Sequence, residues 1–537
     1  MPEPAAASGA SAPGTAAPGT AAPRAAAPGP PAAGGGAAAG PSAPQDHSSA
    51  GQTTHYLERV AELNPLLGAV ITVSPDALRE ASARDQEGPA SRGPLHGVPV
   101  LVKDNIDVRG LPATAGSPAL GGAADRGDAF LVARLREAGA VILGKANLSE
   151  WANFRSYRST SGWSTLGGQA ANPHALDRNP SGSSSGSGVA VAAGLAPMAV
   201  GTETDGSIVC PASACGVVGI KPTVGLVSRH GIVPISSAQD TAGPMARTVA
   251  EAAALLGVLA GTDPADPVTA AAAGRPADYT AFLDAGALAG ARLGVWRDGC
   301  HEAGDTIMAV LDSALDVLRD LGATVLDPVE LPGAAGIGDP EWVSLLHEFK
   351  REINGYLRAL PGHAPRSLAE LIDFNINNAP SVLTYFGQEI FVQAEATSGD
   401  PADPAALAAR AEAGSRAREA LDGPLIAHRL DAIVTLTANP AALTDYVLGD
   451  NSVFHTSGPS AVAGYPAISV PAGQVSGLPV GLSFLGPAWS EPALIALAYA
   501  FEQASQALAW PSLQATGPAA AAGDRGGHPA GPGEWPR

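Results

Sequence analysis

Short apolar segments alternate with amphipathic ones in the first third of this chain. Residues 68–73, 94–106 and 140–145 carry the largely apolar runs G-A-V-I-T-V, P-L-H-G-V-P-V-L-V-K-D-N-I and A-V-I-L-G-K. Between the last two runs, residues 129–139 place apolar side chains at helical spacing and end at a glycine. Strands without a polar face must be covered on both sides. The alternation therefore predicts an α/β fold, with a mixed β-sheet core covered by α-helices.

The composition changes sharply at both ends of the chain. Residues 1–52 contain almost only Ala, Pro, Gly, Ser and Thr, and residues 516–537 are similar. Such segments have little side-chain area to bury against the entropy lost on ordering, so we expect two disordered tails. We assign residues 53–515 to one large folded domain. Order is expected to begin near Tyr56, and the first helix is expected to end at Asn64-Pro65.

The charge balance and the cysteines limit the classes of partner. The chain has 31 Lys and Arg residues against 51 Asp and Glu residues, which gives a net charge of −20 at pH 7. Such a surface repels a polyanionic backbone, which argues against nucleic acid as a direct partner. The three cysteines include no C-x-x-C pair and cannot build a disulfide framework, which favours a reducing compartment.

Nothing in the sequence indicates a membrane protein. No run of about 18 or more apolar residues is free of charges and turn residues, so we expect no membrane-spanning helix and no membrane partner. The N-terminus, M-P-E-P-A-A-A-S-G-A, lacks a positive start followed by a Leu-, Val- or Ile-rich stretch and is not typical of a secretory signal. We therefore expect a cytoplasmic protein and leave export open.

Two turns rich in serine and glycine flank an apolar segment between Ser183 and Ser207. A Ser/Gly stretch is usually a linker, but this one runs directly into V-A-V-A-A-G-L-A-P-M-A-V, which is core material. A serine becomes a nucleophile only beside a base, and its transition-state oxyanion needs preorganised donors. Gly206 would let the backbone turn sharply, so that the amides of Thr204, Asp205, Gly206 and Ser207 point at one place.

These turns and the upstream block G-V-P-V-L-V-K-D-N-I closely resemble the amidase signature family. The blocks G-K-A-N-L-S-E-W, Q-D-T-A-G-P-M-A-R and G-L-P-V-G-L-S-F-L-G are similar to family landmarks as well, and the likeness covers about residues 55–515. The resemblance implies Ser207 as nucleophile, Ser183 in a cis peptide as the hydroxyl that passes on the proton, and Lys103 as base. The apolar V-P-V-L-V surroundings would lower the pKa of Lys103 by desolvation, as a base requires.

Within the family the likeness is greatest to bacterial peptide amidase, which removes the C-terminal amide of peptides. Residues 147–156, 161–169 and 201–212 carry this likeness. The resemblance implies a single amidase-signature catalytic domain that releases ammonia from carboxamides through an acyl-enzyme. It further implies a small-molecule or peptide amide as substrate, a monomer or homodimer, and neither a metal nor another cofactor.

Other functions remain open. A chain of the glutamyl-tRNA amidotransferase type would need partner chains, and Val209, where many family members have Arg, weakens this interpretation. A catalytically inactive binding protein is disfavoured because all three triad positions are intact. A broad aryl or alkyl amidase, or an esterase, would differ from a peptide amidase only in the pockets for the acyl part and the leaving group.

The family layout implies that a helical segment of about residues 340–400 walls the acyl-binding cleft. Leu345, Phe349 and Ile353 share one face there, and they fit core packing and substrate contact equally well.

Several further motifs have simpler explanations. Gly182–Gly186 fits G-x-S-x-G, but loop residues precede it and the motif needs a histidine partner. Gly139–Lys145 is one residue short of a phosphate-binding loop, and its A-V-I-L is a buried strand. His347-Glu348 lacks the second histidine of a zinc motif. Asp240 and Arg247 are expected to form supporting hydrogen bonds.

Overall fold

A large mixed sheet organises the chain. The computed structural model describes residues 44–88 and 93–516, so most of the two predicted tails, 1–52 and 516–537, lies outside the described residues. Within them, eleven strands pair in the order β1-β3-β2-β6-β8-β7-β12-β13-β11-β9-β10, and β4 pairs with β5 separately. The strands are β1 (Val70–Val73), β2 (Pro99–Lys103), β3 (Val141–Ala146), β4 (Trp163–Ser164), β5 (Gly168–Gln169), β6 (Met198–Glu203), β7 (Val218–Lys221), β8 (Thr241–Ala246), β9 (Arg292–Val295), β10 (Thr324–Leu326), β11 (Ala432–Leu436), β12 (Ala467–Val475) and β13 (Leu478–Leu485).

Helices cover the sheet, as the alternating sequence pattern predicts. They are α1 (Ser49–Leu67), α2 (Ala77–Asp85), α3 (Phe130–Glu137), α4 (Ser185–Ala192), α5 (Val209–Cys215), α6 (Val249–Leu259), α7 (Asp305–Asp320), α8 (Gly338–Ala359), α9 (Leu368–Asn377), α10 (Ala379–Val382), α11 (Glu389–Glu395), α12 (Pro404–His428), α13 (Gly458–Ala463) and α14 (Glu491–Ser505). Every residue of β2, β3 and β6 is buried. The α/β prediction is confirmed, because strands covered on both faces need apolar side chains on both faces.

The first helix is longer than the sequence predicts. It begins at Ser49, with the Ser48 hydroxyl accepting a hydrogen bond from the Gly51 amide, and not near Tyr56. It also continues through Pro65 to Leu67, so the predicted end at Asn64-Pro65 is wrong. A proline this close to the end removes little of the helical hydrogen bonding. Gly68, in the left-handed conformation, ends the helix.

Parallel pairing within the sheet sets the position of the site. β2 lies between β3 and β6 and runs parallel to both. Val102 of β2 is in register with Val200 of β6. The two strands therefore bring their carboxyl ends, Lys103 and Glu203, to the same edge of the sheet, where open α/β sheets commonly bind ligands.

The region of residues 338–395 forms a helical layer with its own core. Leu345, Phe349 and Ile353 of α8 are buried in one apolar cluster with side chains of α9 and α11. Phe349 and Phe391 stack with ring centroids 5.4 Å apart. These three α8 side chains therefore belong to the core, which decides between the two alternatives that the sequence leaves open.

None of the helices in the described ranges combines the length and apolar character that crossing a bilayer requires.

Candidate active site

Lys103 lies at the centre of a buried polar cluster at the end of β2. Its Nζ is 2.8 Å from Ser183 Oγ and 3.0 Å from Ser184 Oγ. It is also 2.9 Å from Thr202 Oγ1 and 3.1 Å from the Thr202 carbonyl oxygen. Asn105 Nδ2 donates to Thr202 Oγ1 at 3.0 Å, which holds this hydroxyl in place. The structure thus brings together two of the three predicted triad residues, Lys103 and Ser183.

Complete burial favours the neutral amine of Lys103 over its ammonium form. The side chain is inaccessible to solvent, and desolvation lowers the pKa of Lys103 to about 7. Glu203 and Asp240 act in the opposite direction, because nearby negative charge favours the ammonium form. A lysine with this pKa is substantially neutral near pH 7, as a general base must be.

Ser183 lies where a loop enters a helix. The Gly182–Ser183 peptide is cis, as the resemblance implies. Ser183 is fully buried and its carbonyl accepts from the Ser149 amide at 3.1 Å. Residues 172–181 before it are loop, so the strand that a G-x-S-x-G elbow requires is missing from this side.

The turn that carries Ser207 is shaped by a buried carboxylate. Gly206 has a φ of 77°, and a Cβ there would come within 2.9 Å of Cys210 Sγ. Glu203, at the end of β6, accepts from the Gly206 amide at 2.9 Å through Oε1. Through Oε2 it accepts from the amides of Ile208 and Val209 at 2.7 and 3.1 Å. Glu203 therefore joins the strand to the first turn of α5, where amide donors are otherwise unpaired.

This contact departs from the sequence-based expectation for Gly206. Its amide, predicted to point at the oxyanion, is directed at Glu203 instead. By contrast, the amides of Thr204, Asp205 and Ser207 donate to no other described residue. Gly206 thus contributes the sharp turn, and three of the four predicted amides remain available.

The Ser207 hydroxyl is free of hydrogen-bonding contacts with the described part of the chain. Ser207 is 8% exposed, and its hydroxyl makes no hydrogen bond to another described residue. Its carbonyl accepts from the Ser184 amide at 3.0 Å, which fastens the two serine turns together. The structure places Ser207 beside the turn of Ser183 and Ser184 through this backbone contact, without a direct bond between the Ser183 and Ser207 hydroxyls.

Asp240 and Arg247 both form supporting hydrogen bonds, as the sequence predicts, but only Asp240 does so at this turn, since Arg247 donates to the Ala192 carbonyl at 3.4 Å. The Asp240 carboxylate accepts from Thr204 Oγ1 at 2.6 Å and from the Ile235 and Ser236 amides at 2.8 and 2.9 Å. Burial raises the pKa of Asp240 to about 6. The Arg247 guanidinium lies 3.2 Å from the centroid of the Trp510 ring, against the C-terminal segment.

Sequence reasoning missed four residues of the site: Asn105, Ser184, Thr202 and Glu203. Asn105 and Glu203 carried a usable signal, since each is a polar residue at the end of an apolar strand. The sequence around Thr202 and Ser184 gives no sign of a role in the site, because their contacts with Lys103 depend on how the tertiary fold aligns β2 and β6.

Two cavities border the turn of residues 204–207, and Asp205 and His455 line both. The smaller, of about 190 Å³, has a lining of mixed polarity and lies against Ser181 and Gly182. The larger, of about 740 Å³, lies against the start of α8. This turn therefore has a cavity on each of two sides.

The remaining motifs have structural roles. Lys145, at the end of the segment that nearly fits a phosphate-binding loop, is fully buried and forms an ion pair with Asp104 at 3.3 Å. His347 lies 3.9 Å from Asp403 and 3.4 Å from Ser398 Oγ. In the described ranges, no group of three or more His, Cys, Asp or Glu side chains is arranged to hold a metal ion.

Comparison with known proteins agrees with this geometry. The sequence profile of the family described as Amidase matches residues 52–495. The chain therefore belongs to the amidase signature family. A probable amidase of Arabidopsis thaliana is 44% identical over 464 residues, which is 84% of this chain and 85% of the relative.

Two further relatives are a peptide amidase and an amidotransferase chain. The structure of native peptide amidase from Stenotrophomonas maltophilia is 51% identical with a TM-score of 0.82, covering 87% of this chain and 95% of that one. A glutamyl-tRNA(Gln) amidotransferase chain of Symbiobacterium thermophilum is 37% identical over 470 residues, 84% of this chain and 92% of the relative. The chain is a hydrolase that acts on amide C–N bonds, similar in structure to peptide amidase.

Proposed function

We propose that this enzyme removes the C-terminal amide of peptides, with Ser207 as nucleophile, Ser183 as bridging hydroxyl and Lys103 as base. The observation that carries the proposal is the 2.8 Å contact between Lys103 Nζ and Ser183 Oγ in a fully buried cluster. A lysine with a pKa of about 7 is neutral, and so able to take a proton from a serine, in a far larger fraction of molecules than an ordinary lysine.

Acylation proceeds by a two-hydroxyl relay. Ser207 Oγ attacks the amide carbon while its proton passes to Ser183 Oγ, whose own proton passes to Lys103 Nζ. The C–N bond then breaks, the proton returns through Ser183 to the leaving nitrogen, and ammonia departs. An ester now joins the acyl group to Ser207 Oγ.

Deacylation reverses the relay. Water attacks the ester carbon and loses a proton through Ser183 to Lys103, and the proton then returns to Ser207 Oγ as the peptide acid leaves. In both steps the amides of Thr204, Asp205 and Ser207 are the donors available for the oxyanion. Because these donors belong to a turn that Glu203 and Asp240 brace, little reorganisation accompanies the reaction.

Peptide amides suit the two cavities. The cavity of about 190 Å³ has ample room for a primary amide, and the larger one, of about 740 Å³, can take side chains. Ile337 and Glu341, at the start of α8, line the larger cavity, which supports the expectation that this region walls the acyl cleft. Likeness to the Stenotrophomonas maltophilia peptide amidase supports the same substrate class.

Ammonia release from a C-terminally amidated dipeptide by the purified single chain tests the function. We expect steady release, without a partner chain. An aryl amide and an alkyl amide of matched acyl group are the comparison substrates, and a preference for either of them of about tenfold in kcat/KM would replace peptide amides as the substrate class.

The amidotransferase alternative makes the opposite prediction. The 37% identity to a glutamyl-tRNA(Gln) amidotransferase chain supports it, and Val209, at a position where Arg is common in the family, opposes it. A folded chain that releases no ammonia from any of these substrates alone, and does so once partner chains are added, would favour that alternative.

A further inference from the structure

The larger cavity beside the nucleophile turn is bordered by three acids. Asp205, Asp298 and Glu341 line it, and we call it the acidic cleft. Its other lining side chains are apolar or imidazole: Trp296, Leu331, Ile337, Pro459, His301 and His455, with small residues between them. No described Lys or Arg lines the cleft. A cavity of this composition attracts cations and rejects anions.

Glu341 is buried in the cleft with one oxygen unpaired. The residue is 8% exposed. Oε1 accepts from Gln239 Nε2 at 2.7 Å, whereas Oε2 receives no hydrogen bond from any described residue. Burial and the charge of Asp205 raise the pKa of Glu341 to about 8. An ammonium beside this carboxyl would favour its ionised form, because opposite charges stabilise each other.

Asp205 brings a second unsatisfied carboxylate to the same place. Its Oδ1 is buried without a hydrogen-bond partner among the described residues. Its Oδ2 faces Gly458, which also lines the cleft, since a Cβ at Gly458 would lie 3.8 Å from that oxygen. Asp205 stands two residues before Ser207, so a group held between Asp205 and Glu341 lies close to the reacting serine.

The guanidinium of Arg410 pairs with Glu348 and not with Glu341. Arg410 donates to both oxygens of Glu348 at 2.8 Å each and to Gln239 Oε1 at 2.6 Å. Gln239 in turn donates to Glu341 and, at 3.3 Å, to the Thr204 carbonyl. This chain of contacts fixes Glu341 relative to the nucleophile turn and leaves it without a direct ion pair to Arg410.

We propose that the acidic cleft selects peptide amides that carry a positive charge near the scissile amide. This inference rests on the proposed function and names its preferred substrate class. The charge can be the free N-terminal ammonium of a dipeptide amide or the side-chain ammonium of a lysine, because the cleft offers carboxylate oxygens to either. Apolar walls around the acids strengthen such a contact by excluding water.

Matched substrates separate the two sources of charge. The first pair is Ala-Phe-NH2 and its N-acetyl derivative, assayed at pH 7, where the α-ammonium is charged. The second pair is N-acetyl-Lys-Phe-NH2 and N-acetyl-norleucine-Phe-NH2. We expect kcat/KM to favour the charged member of at least one pair by about tenfold, or about 1.4 kcal/mol. The preference is expected to fall as salt is raised, because screening weakens it.

Glu341→Gln identifies the group responsible. The variant keeps the acceptor for Gln239 and cannot ionise, so the preference is expected to shrink by about tenfold, mostly through KM. Asp339→Asn is the matched control. Asp339 is an exposed acid in the same first turn of α8 and does not line the cleft. Asp339→Asn is expected to leave the preference for charged substrates unchanged. A general effect of charge at the start of the helix would instead change this preference equally in both variants.

The outcomes distinguish this inference from the proposed function. If all four peptide amides are hydrolysed with equal kcat/KM in the wild-type enzyme, the cationic preference is wrong and the peptide amidase function stands. If the preference exists but survives undiminished in Glu341→Gln, Glu341 is not its source and the place given to this residue in the proposal is wrong. If none of the four is hydrolysed, both proposals fall. The wild-type comparison decides the matter even if Glu341→Gln does not fold.

Discussion

At the residue scale, the proposed mechanism makes the reactivity of Ser207 depend on Lys103, whose pKa burial lowers to about 7. We expect Lys103→Met to lower kcat by roughly a thousandfold, the range for loss of a general base. Methionine preserves the apolar bulk, so circular dichroism should show an unchanged fold. Ser184→Ala is the comparison variant, since Ser184 contacts Lys103 Nζ at 3.0 Å but passes on no proton, and we expect a loss of about tenfold at most. Near-wild-type kcat in Lys103→Met would contradict the role of Lys103.

The same lysine predicts the pH dependence. A base works only when unprotonated, and burial lowers the pKa of Lys103 to about 7. We therefore expect kcat/KM to rise with pH and to level off above pH 7, with a midpoint near 7. A profile that is already flat at pH 5.5, or that rises only near pH 10, would show that Lys103 is not the titrating base.

Glu203 is expected to act as a positioning residue for Ser207. Its carboxylate accepts from three amides around the turn, and the amide of Glu203→Gln can replace only part of this pattern. We expect kcat to fall about tenfold to a hundredfold with little change in KM, because the turn loses its geometry while the clefts remain. Glu251→Gln is the control, since Glu251 caps α6 away from the site. An equal loss of kcat in both variants would mean a general loss of stability.

At the scale of elements, one buried ion pair joins α8 to α12. Glu348 is 7% exposed and meets Arg410 through two hydrogen bonds. Arg410→Ala leaves that carboxylate buried without a cation, with only the hydrogen bond from Ser236 Oγ, which we expect to lower the free energy of unfolding by roughly 3 kcal/mol. On the same helix, the exposed pair of Arg416 and Glu412 at i,i+4 is worth about 0.3–0.5 kcal/mol. Thermal unfolding of Arg410→Ala and Arg416→Ala compares the contributions of the two ion pairs. Equal decreases in Tm in the two variants would refute the argument.

At the scale of the whole molecule, buried carboxyls set the dependence of stability on pH. Burial raises the pKa of Asp240 to about 6, that of Glu502 to about 7 and that of Glu341 to about 8. Between pH 4.5 and 8 the folded state therefore binds more protons than the unfolded state, so stability falls as pH rises. Repulsion within a chain of net charge −20 acts in the same direction.

We accordingly expect the Tm to be higher at pH 5.5 than at pH 7.5. Lys103 opposes this trend, because its folded pKa of about 7 lies below its unfolded value and the ammonium form costs stability at lower pH. The buried His174 opposes it as well between pH 5.5 and 6.5, because desolvation lowers its pKa to about 4. Three carboxyls outweigh these two groups over the interval, so the carboxyls set the sign. Differential scanning fluorimetry at constant ionic strength measures the difference. A Tm that rises steadily from pH 5.5 to 7.5 would contradict the account.

The sequence predicts the architecture better than it predicts the contacts. Strands such as β2 and β3 are apolar along most of their length, so their identity follows from local pattern alone. The start of α1 is missed because Ser48 caps the helix inside a segment whose composition resembles a tail. Ser184 and Thr202 are missed because their contacts with Lys103 arise only from the tertiary fold, in which β6 lies beside β2. The direction predicted for the Gly206 amide is wrong for a related reason, because this amide donates to the carboxylate of Glu203.

Chemical identification of the acylated residue tests the central claim most directly. The enzyme is mixed with the p-nitrophenyl ester of an acyl dipeptide, quenched in acid during turnover and digested, and the peptide masses are measured by mass spectrometry. We predict that the acyl mass resides on the peptide at Ser207 and disappears in Ser207→Ala. An acyl group on Ser183 or Cys210, or an undiminished label in Ser207→Ala, would contradict the assignment of Ser207 as the nucleophile.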